Sequence, residues 1–230
     1  DGNLVATTMR TPGHDYELAV GFCATENLLG DAAVMQVRYC GEGPAAEYEY
    51  NVVTVDTGGR APVPRPRLGN VSSSCGLCGS ATLLELATQI DPINDPTVFT
   101  AQTITDVLKI VGSQQEMFTR TGGLHAAAVF NSAGAIELLR EDIGRHNAVD
   151  KIIGRRVLDK QLRSNELGLF VSGRASFEMV QKAWTAGFGT LVAVSAPSAL
   201  AVDIAKTANM TLVGFARSDS MNVYAGHIDK

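Results

Sequence analysis

The sequence predicts an α/β fold, a three-layer sandwich around a mixed sheet, because strands and helices alternate through its second half. Three short apolar runs, at residues 167–171, 190–194 and 211–215, are typical of strands that are buried on both faces. Helical periodicity at residues 177–186 and 198–209 places a crossover helix between successive strands, so the last strands of the sheet are expected to be parallel. Helices on both faces of such a sheet make three layers.

Upstream of these units the sequence predicts a β-hairpin and three further helices. Two apolar runs, at residues 125–130 and 135–140, are joined by Asn-Ser-Ala-Gly, which is typical of a hairpin turn. Helices are expected over residues 81–90, where a serine can serve as N-cap, over residues 103–118 and over residues 145–160. This order of elements resembles the topology of the cytidine deaminases.

The first part of the chain is predicted to be α+β. Strands are expected at residues 4–9, 34–39 and 47–55, and an amphipathic helix at residues 14–29. Because the chain starts at Asp1 without Met, further N-terminal residues are expected to precede it. The predicted organisation is a smaller α+β part over residues 1–70, a loop with two cysteines over residues 71–80 and the deaminase-like α/β core over residues 81–230.

Composition excludes several classes of protein. The 230 residues are 45% hydrophobic and 19% charged, which favours a folded chain with a sizeable core. The net charge of -5 argues against a nucleic-acid-binding protein, because such a protein usually carries a basic surface. No apolar run reaches the ~20 residues that a membrane helix needs, and no secretory leader is visible. We therefore expect a soluble, cytoplasmic protein that binds neither nucleic acid nor membrane.

The four cysteines are too few for a disulfide scaffold in a chain of this length. Cys23 lies in an apolar helical pattern and is predicted to be a buried hydrophobic residue, whereas Cys40 is less determined. Cys75 and Cys78 form a C-x-x-C pair within a run of serines and glycines, which offers little surface for packing. Such a pair could hold a metal, act as a redox dithiol, form a disulfide or carry sulfur.

The sequence favours some of these chemistries over others. A zinc deaminase needs His-x-Glu followed by Pro-Cys-x-x-Cys, but His125 is followed by two alanines and the cysteine pair comes before it. A structural zinc usually needs two close pairs of ligands, and only one pair is present, so no metal is expected. A thioredoxin-like redox protein carries its C-x-x-C directly after a strand rather than after a serine-rich loop, although it is the more credible redox alternative. Sulfur carriage requires an exposed nucleophilic thiol, and the helix expected after Ser80 would lower the pKa of the nearer one, Cys78.

Small polar loops follow each of the three parallel strands, at residues 172–176, 195–198 and 217–220. Ligands of open α/β sheets bind beyond the carboxyl ends of the strands, and the first two loops open helices whose N-termini favour phosphate. Each serine alone is better explained as an N-cap, but three such loops at one edge favour a phosphorylated ligand.

A dense polar string leads from the hairpin into the next helix. Arg145 and His146 could together bind a phosphate, and Glu141 or Asp142 could accept a hydrogen bond from a base or ribose. The alternatives are that Asp142 only caps the helix and that Lys151 is only a solvated cation.

Six motifs in the same order resemble the FdhD family of formate dehydrogenase accessory sulfurtransferases, also called FdhD/NarQ, across essentially the whole chain. The motifs are Arg10-Thr-Pro-Gly-His-Asp15, Ser74-Cys-Gly-Leu-Cys-Gly79, Thr121-Gly-Gly-Leu-His-Ala126, Glu141-Asp-Ile-Gly-Arg-His-Asn-Ala148, Ser172-Gly-Arg-Ala175 and Gly214-Phe-Ala-Arg-Ser-Asp219. Two positions depart from the family pattern, Tyr16 and Asn27, and neither lies near the cysteine loop.

The resemblance implies a deaminase-like fold without zinc chemistry and a function in sulfur transfer. A cysteine desulfurase would donate persulfide sulfur to Cys75, and the molybdenum cofactor in its bis-guanine dinucleotide form would receive it before insertion into formate dehydrogenase. Cys78 is then expected to be a relay or resolving thiol, and a homodimer is expected by analogy. The alternatives are a cofactor-binding chaperone without sulfur transfer and a thiol-disulfide redox protein. The expected cofactor-binding residues are His125, Arg145, His146, Ser172, Arg174, Phe215, Ala216, Arg217, Ser218, Asp219 and Ser220.

Overall fold

A six-stranded mixed sheet forms the centre of the computed structural model, which describes residues 1–40, 50–64, 90–161 and 165–230. The described helices are α1 (Asp15–Thr25), α2 (Ala101–Gln114), α3 (Glu116–Thr121), α4 (Arg145–Leu158), α5 (Phe177–Thr185) and α6 (Ala199–Thr207). The strands are β1 (Gln36–Tyr39), β2 (Val53–Asp56), β3 (His125–Phe130), β4 (Ile136–Asp142), β5 (Gly168–Val171), β6 (Thr190–Ala193), β7 (Thr211–Gly214) and β8 (Asn222–Ala225).

The order of strands in the sheet is β4-β3-β5-β6-β7-β8. The hairpin partners β3 and β4 are antiparallel, β3 is antiparallel to β5, and β5, β6 and β7 are parallel to one another, as predicted. Strand β8 returns antiparallel to β7 and closes the other edge. Strands β1 and β2 form a separate antiparallel pair.

Alternation along the central strands divides the core between the two faces of the sheet. Leu169 and Val171 of β5 face a core formed with α4, α5 and α6, whereas Phe170 faces a second core formed with α2. All three side chains are at most 3% exposed. The predicted three-layer α/β sandwich is therefore confirmed.

Helix α1 packs on the outer side of α4 through two glycines. A Cβ on Gly21 would lie 1.8 Å from the carbonyl oxygen of Asp150, and one on Gly154 would lie 1.7 Å from that of Glu17. Both distances are far below van der Waals contact, so the two helix backbones touch only because neither position has a side chain. The N-terminal part is thereby attached directly to the core.

Some predicted elements differ from the observed ones. The strand predicted at residues 4–9 is wrong, because those residues are extended without a partner strand, and Leu4 and Met9 are 78% and 80% exposed. The strand predicted at residues 47–55 is observed only from Val53, and its first three residues lie outside the described part of the chain. The helix predicted at residues 81–90 and the loop at residues 71–80 also lie outside it.

The helix predicted over residues 103–118 is divided into α2 and α3. Gln115 has φ −77° and ψ 76°, which interrupts the helical backbone between them. Strand β8 was not predicted, because a short run after a polar loop has no distinctive pattern. Within the described ranges, no helix is long and apolar enough to span a membrane.

Candidate functional site

The carboxyl ends of β5, β6 and β7 meet at one edge of the sheet, and several predicted site residues lie there. His125 begins β3 and pairs in register with Asp142, which ends β4. Since β3 is antiparallel to β5, His125 lies beside the loop that leaves β5. The topology thus places residues that are distant in sequence side by side.

His125 and Ser172 are joined by a hydrogen bond. The Nδ1 atom of His125 lies 3.3 Å from the hydroxyl oxygen of Ser172, which also accepts from the backbone N–H of Ala126 at 2.8 Å. Burial, and secondly the charge of Arg145, lower the pKa of His125 below its ordinary 6.5. His125 is therefore a neutral hydrogen-bonding group rather than a fixed cation.

Gly173 allows Arg145 to approach the loop closely. A Cβ at Gly173 would lie 3.2 Å from Cδ of Arg145 and 3.6 Å from the ring of His125. Burial and the charge of Arg174 lower the pKa of Arg145, while Glu178 raises it. Two guanidinium groups thus lie near each other at this edge, an arrangement that an anionic ligand would stabilise.

His146 lies at the start of α4, close to the same charges. Its pKa is lowered to about 4, first by burial and then by Arg145 and Lys182. At neutral pH the imidazole is uncharged, so it can contribute a hydrogen bond but no positive charge to an anion site. The predicted cooperation of Arg145 and His146 therefore depends on the arginine for its charge.

A cleft with a volume of about 440 Å³ opens beside His125 and Ser172, on the α2 side of the sheet. This volume is within the range of small-molecule sites. Its lining combines apolar side chains with glycine backbone and two polar groups. The lining residues are Leu108, Gly112, Gln115, Phe118, Gly122, Gly123, Leu124, His125, Phe170, Ser172 and Val194.

The segment from Phe215 to Ser220 follows β7 and turns tightly. Phe215 has φ +50° and donates its N–H to the carbonyl of Ser195 at 3.2 Å, while its side chain is 41% exposed. Arg217 donates its backbone N–H to the carbonyl of Ser220 at 2.7 Å, and its guanidinium donates to the carbonyl of Val194, which lines the cleft. The predicted segment therefore borders the cleft.

Within this segment the side chains differ in accessibility. Ala216 is 1% exposed and belongs to the core, so only its backbone could contact a ligand. Ser218, Asp219 and Ser220 are exposed. Of the serines that precede helices, Ser198 accepts from the N–H of Ala201 and caps α6, whereas Ser176 makes no capping bond to α5.

Asp142 and Lys151 form a buried ion pair at 2.7 Å and are 0% and 1% exposed. The Asp142 carboxylate also accepts from the backbone N–H groups of Thr11 and Gly144 and from the Asn147 side chain, at 2.9 to 3.1 Å. The prediction of a solvated Lys151 is therefore wrong. The capping alternative for Asp142 is the observed one, since all of these partners lie within the protein.

The Glu141 carboxylate is also engaged internally. It accepts from the backbone N–H groups of Met117 and Phe118, at 2.9 and 2.8 Å, and thereby caps α3. Sequence patterns could not identify this role, because strand β4 and helix α3 are far apart in the chain. The H-bonding capacity predicted for a base or ribose is used here by the protein.

The cysteines differ in what can be said of them. Cys23 is buried in α1, and burial, then the charge of Asp150, raise its pKa to about 11, so it is a structural residue as predicted. Cys40 is half-buried. Cys75 and Cys78 lie outside the described residues. No group of three or more histidine, cysteine or carboxylate side chains suited to a metal occurs in the described ranges.

The chain matches the sequence model of the FdhD/NarQ family over residues 1–229. A protein of Streptomyces coelicolor named sulfur carrier protein FdhD is 47% identical over 234 residues, covering 98% of this chain and 83% of that protein. One of Mycolicibacterium paratuberculosis with the same name is 46% identical over 230 residues, covering 97% of this chain and 85% of that protein.

A solved structure supports the fold. A protein of Desulfotalea psychrophila described as a formate dehydrogenase accessory protein superposes with a TM-score of 0.77 at 22% identity, covering 98% of this chain and 84% of that one. A guanine deaminase of Nitrosomonas europaea gives a TM-score of only 0.39, too low to bear on the deaminase comparison. The match over residues 1–229 and the high identity to the curated relatives show that the chain belongs to the FdhD/NarQ family.

Proposed function

We propose that the protein is a sulfur carrier that accepts persulfide sulfur from a cysteine desulfurase and delivers it to a molybdenum cofactor used by formate dehydrogenase. The observation that carries this proposal is the family match over residues 1–229, together with curated relatives named sulfur carrier proteins at 46–47% identity. The resemblance assigns the carrier thiol to Cys75.

The first step is a thiol exchange. The Cys75 thiolate attacks the terminal sulfur of the persulfide on the donor, a new S–S bond forms, and the donor cysteine leaves as a thiolate. The product is a Cys75 persulfide, and no external oxidant or reductant is needed.

Cys78 suits the release step as a resolving thiol. Its thiolate attacks the inner sulfur of the Cys75 persulfide, which forms a Cys75–Cys78 disulfide and releases the outer sulfur as sulfide to the acceptor. The two electrons come from oxidation of the dithiol, which a thiol reductant then restores. This step also accommodates the redox chemistry that a C-x-x-C pair favours.

The molybdenum cofactor is the cargo in this proposal, and its guanine dinucleotide ends would bind at the strand-end edge. Arg145 and Arg174 supply the positive charge that a diphosphate requires, and Arg217 borders the cleft. Ser172 and the neutral His125 add hydrogen-bonding groups beside them. A cleft of about 440 Å³ is large enough for one nucleotide end rather than for the whole cofactor.

The proposal is tested by incubating the protein with a cysteine desulfurase and cysteine and then measuring its intact mass. We expect one added sulfur that a reductant removes. Cys75→Ala should lose it, Cys78→Ala should retain it for longer because release is blocked, and the half-buried Cys40→Ala should behave as wild type. A Cys75→Ala protein that carries as much sulfur as wild type would refute the assignment.

A chaperone that binds the cofactor without transferring sulfur is the second candidate. The observation that favours it is the set of strand-end residues, which could bind an anionic cargo without any nucleophile. In cells lacking the native protein, Cys75→Ala would then still support active formate dehydrogenase. Loss of that activity, with binding of guanosine diphosphate retained, would exclude this candidate.

A further inference from the structure

Helix α3 is the least anchored helix in the described part of the chain. None of its residues is buried, and none belongs to either core cluster among the described residues. It is bounded by Gln115, where the helical backbone is interrupted, and by Gly122, which has φ +67°. Both ends can therefore act as pivots, and Gly122 needs the freedom of glycine at that angle.

The same helix separates two clefts. Phe118 lines the larger cleft beside His125 and is 43% exposed, while Glu116 and Met117 line a smaller cleft of about 240 Å³ on the other side. Moving α3 would enlarge one of these spaces and reduce the other.

Glu141 fixes the position of α3. Its two carboxylate oxygens accept from the N–H groups of Met117 and Phe118, which belong to the first turn and have no acceptor within the helix. In the described ranges, these are the hydrogen bonds that connect α3 to the sheet. Charge-assisted bonds of this kind are stronger than neutral ones.

Glu141 is itself held firmly. It lies in β4, opposite Ala126 of β3, and its carbonyl accepts from the ammonium group of Lys151 at 3.2 Å. The position of the strand that begins with His125 is thereby transmitted to α3.

We propose that α3 is a movable wall of the strand-end cleft and that Glu141 is the positioning residue that holds this wall. Breaking the Glu141 contact lets α3 pivot about Gln115 and Gly122, which displaces Phe118 from the cleft. The wall and its contact follow from the geometry, while the identity of the ligand that the cleft admits rests on the function proposed above.

Amide hydrogen exchange of the wild-type protein tests the contact directly. We expect the Met117 and Phe118 amides to exchange more slowly than the first-turn amides of an uncapped helix, and Glu116 to exchange fast. Equal, fast exchange of all three amides would overturn the proposal without any variant.

Limited digestion with trypsin tests the mobility, because Arg120 lies within α3. Cleavage after Arg120 is expected to be at least about tenfold faster in Glu141→Ala, since two charge-assisted bonds are lost, while the melting temperature changes little. Glu137→Ala is the matched control, because Glu137 lies on the same strand and contacts only Asn131, at 3.4 Å. Equal cleavage of the two variants would contradict a holding role for Glu141.

The consequence for the cleft is measured with guanosine diphosphate as the probe. Glu141→Ala should release it several-fold faster than wild type and Glu137→Ala, because Phe118 no longer closes the site. If wild type does not bind this probe, the assignment of the cargo fails, but the exchange and trypsin results still decide whether α3 is a movable wall.

Discussion

Individual charged residues of this protein are used mainly inside the fold. Asp142 and Lys151 form a fully buried pair, and Lys182 lies 2.8 Å from Asp150 in a second one. Removing one partner of such a pair usually costs about 3–5 kcal/mol, because the other charge is left buried. The polar string after the hairpin therefore stabilises the site edge as well as supplying ligand groups.

His146 makes the stability of the protein depend on pH. Its pKa is about 4 in the folded state and 6.5 in the unfolded chain, so the unfolded state binds more protons between these values. The stability is fully present above pH 6.5 and is lost as the pH falls toward 4. Between pH 7 and pH 5 we expect a loss of about 2 kcal/mol from this residue. Urea unfolding at the two pH values measures it.

The control for this prediction is His146→Gln, which cannot titrate in that range. Burial also lowers the pKa values of His14 and His125, so the variant should retain some dependence on pH. The difference between wild type and variant isolates His146. If both proteins lose the same free energy of unfolding, the imidazole is not held neutral by the fold.

At the scale of elements, the contact of α1 with α4 depends on two glycines that the helix periodicity did not distinguish from others. Gly154→Ala would place a methyl group 1.7 Å from the Glu17 carbonyl oxygen, which forces the helices apart. We expect a loss of at least about 3 kcal/mol in the free energy of unfolding.

Gly112→Ala is the matched change, since Gly112 also lies inside a helix but has no atom within 4 Å of the added Cβ. This variant should gain up to ~1 kcal/mol, because alanine favours helix more than glycine does. Urea denaturation of both variants compares them. Similar effects at the two positions would mean that the α1–α4 contact does not require glycine.

Strong periodic patterns predicted the elements of the core well. The buried runs of β5, β6 and β7 were unambiguous because each is apolar throughout and is followed by an amphipathic helix. The strand at residues 4–9 was wrong because alternation there is not matched by any partner strand. The break at Gln115 was missed because its neighbours continue the helical pattern in sequence.

Over the whole molecule, the sequence could place the site edge but not its internal contacts. Strand order and direction follow from crossover rules, so His125, Ser172 and the segment after β7 were expected at one edge. The neutral state of His146 and the capping by Glu141 depend on burial and on contacts between distant elements, which no local pattern encodes.

The N-terminal helix is joined to the core by several contacts at once. Lys182 of α5 contacts Asp150 of α4 and donates to the hydroxyl of Thr25 in α1, at 2.8 and 2.7 Å. Arg140 of β4 makes two hydrogen bonds to Glu17, at 2.6 and 2.8 Å. We therefore expect α1 to unfold together with the sheet.

Cys23 provides a native reporter of that cooperativity. Its thiol is buried in α1, and a pKa of about 11 leaves little thiolate at pH 8. Alkylation with iodoacetamide should therefore be at least about a hundredfold slower at Cys23 than at Cys40, with each site identified by peptide mass. Urea should accelerate the Cys23 reaction with the slope of global unfolding.

Lys182→Met should also accelerate it, because Asp150 is then left buried without its cation, whereas a change of the exposed Lys206 to Met should not. Labelling of Cys23 that is independent of urea would instead show that α1 opens locally, apart from the sheet.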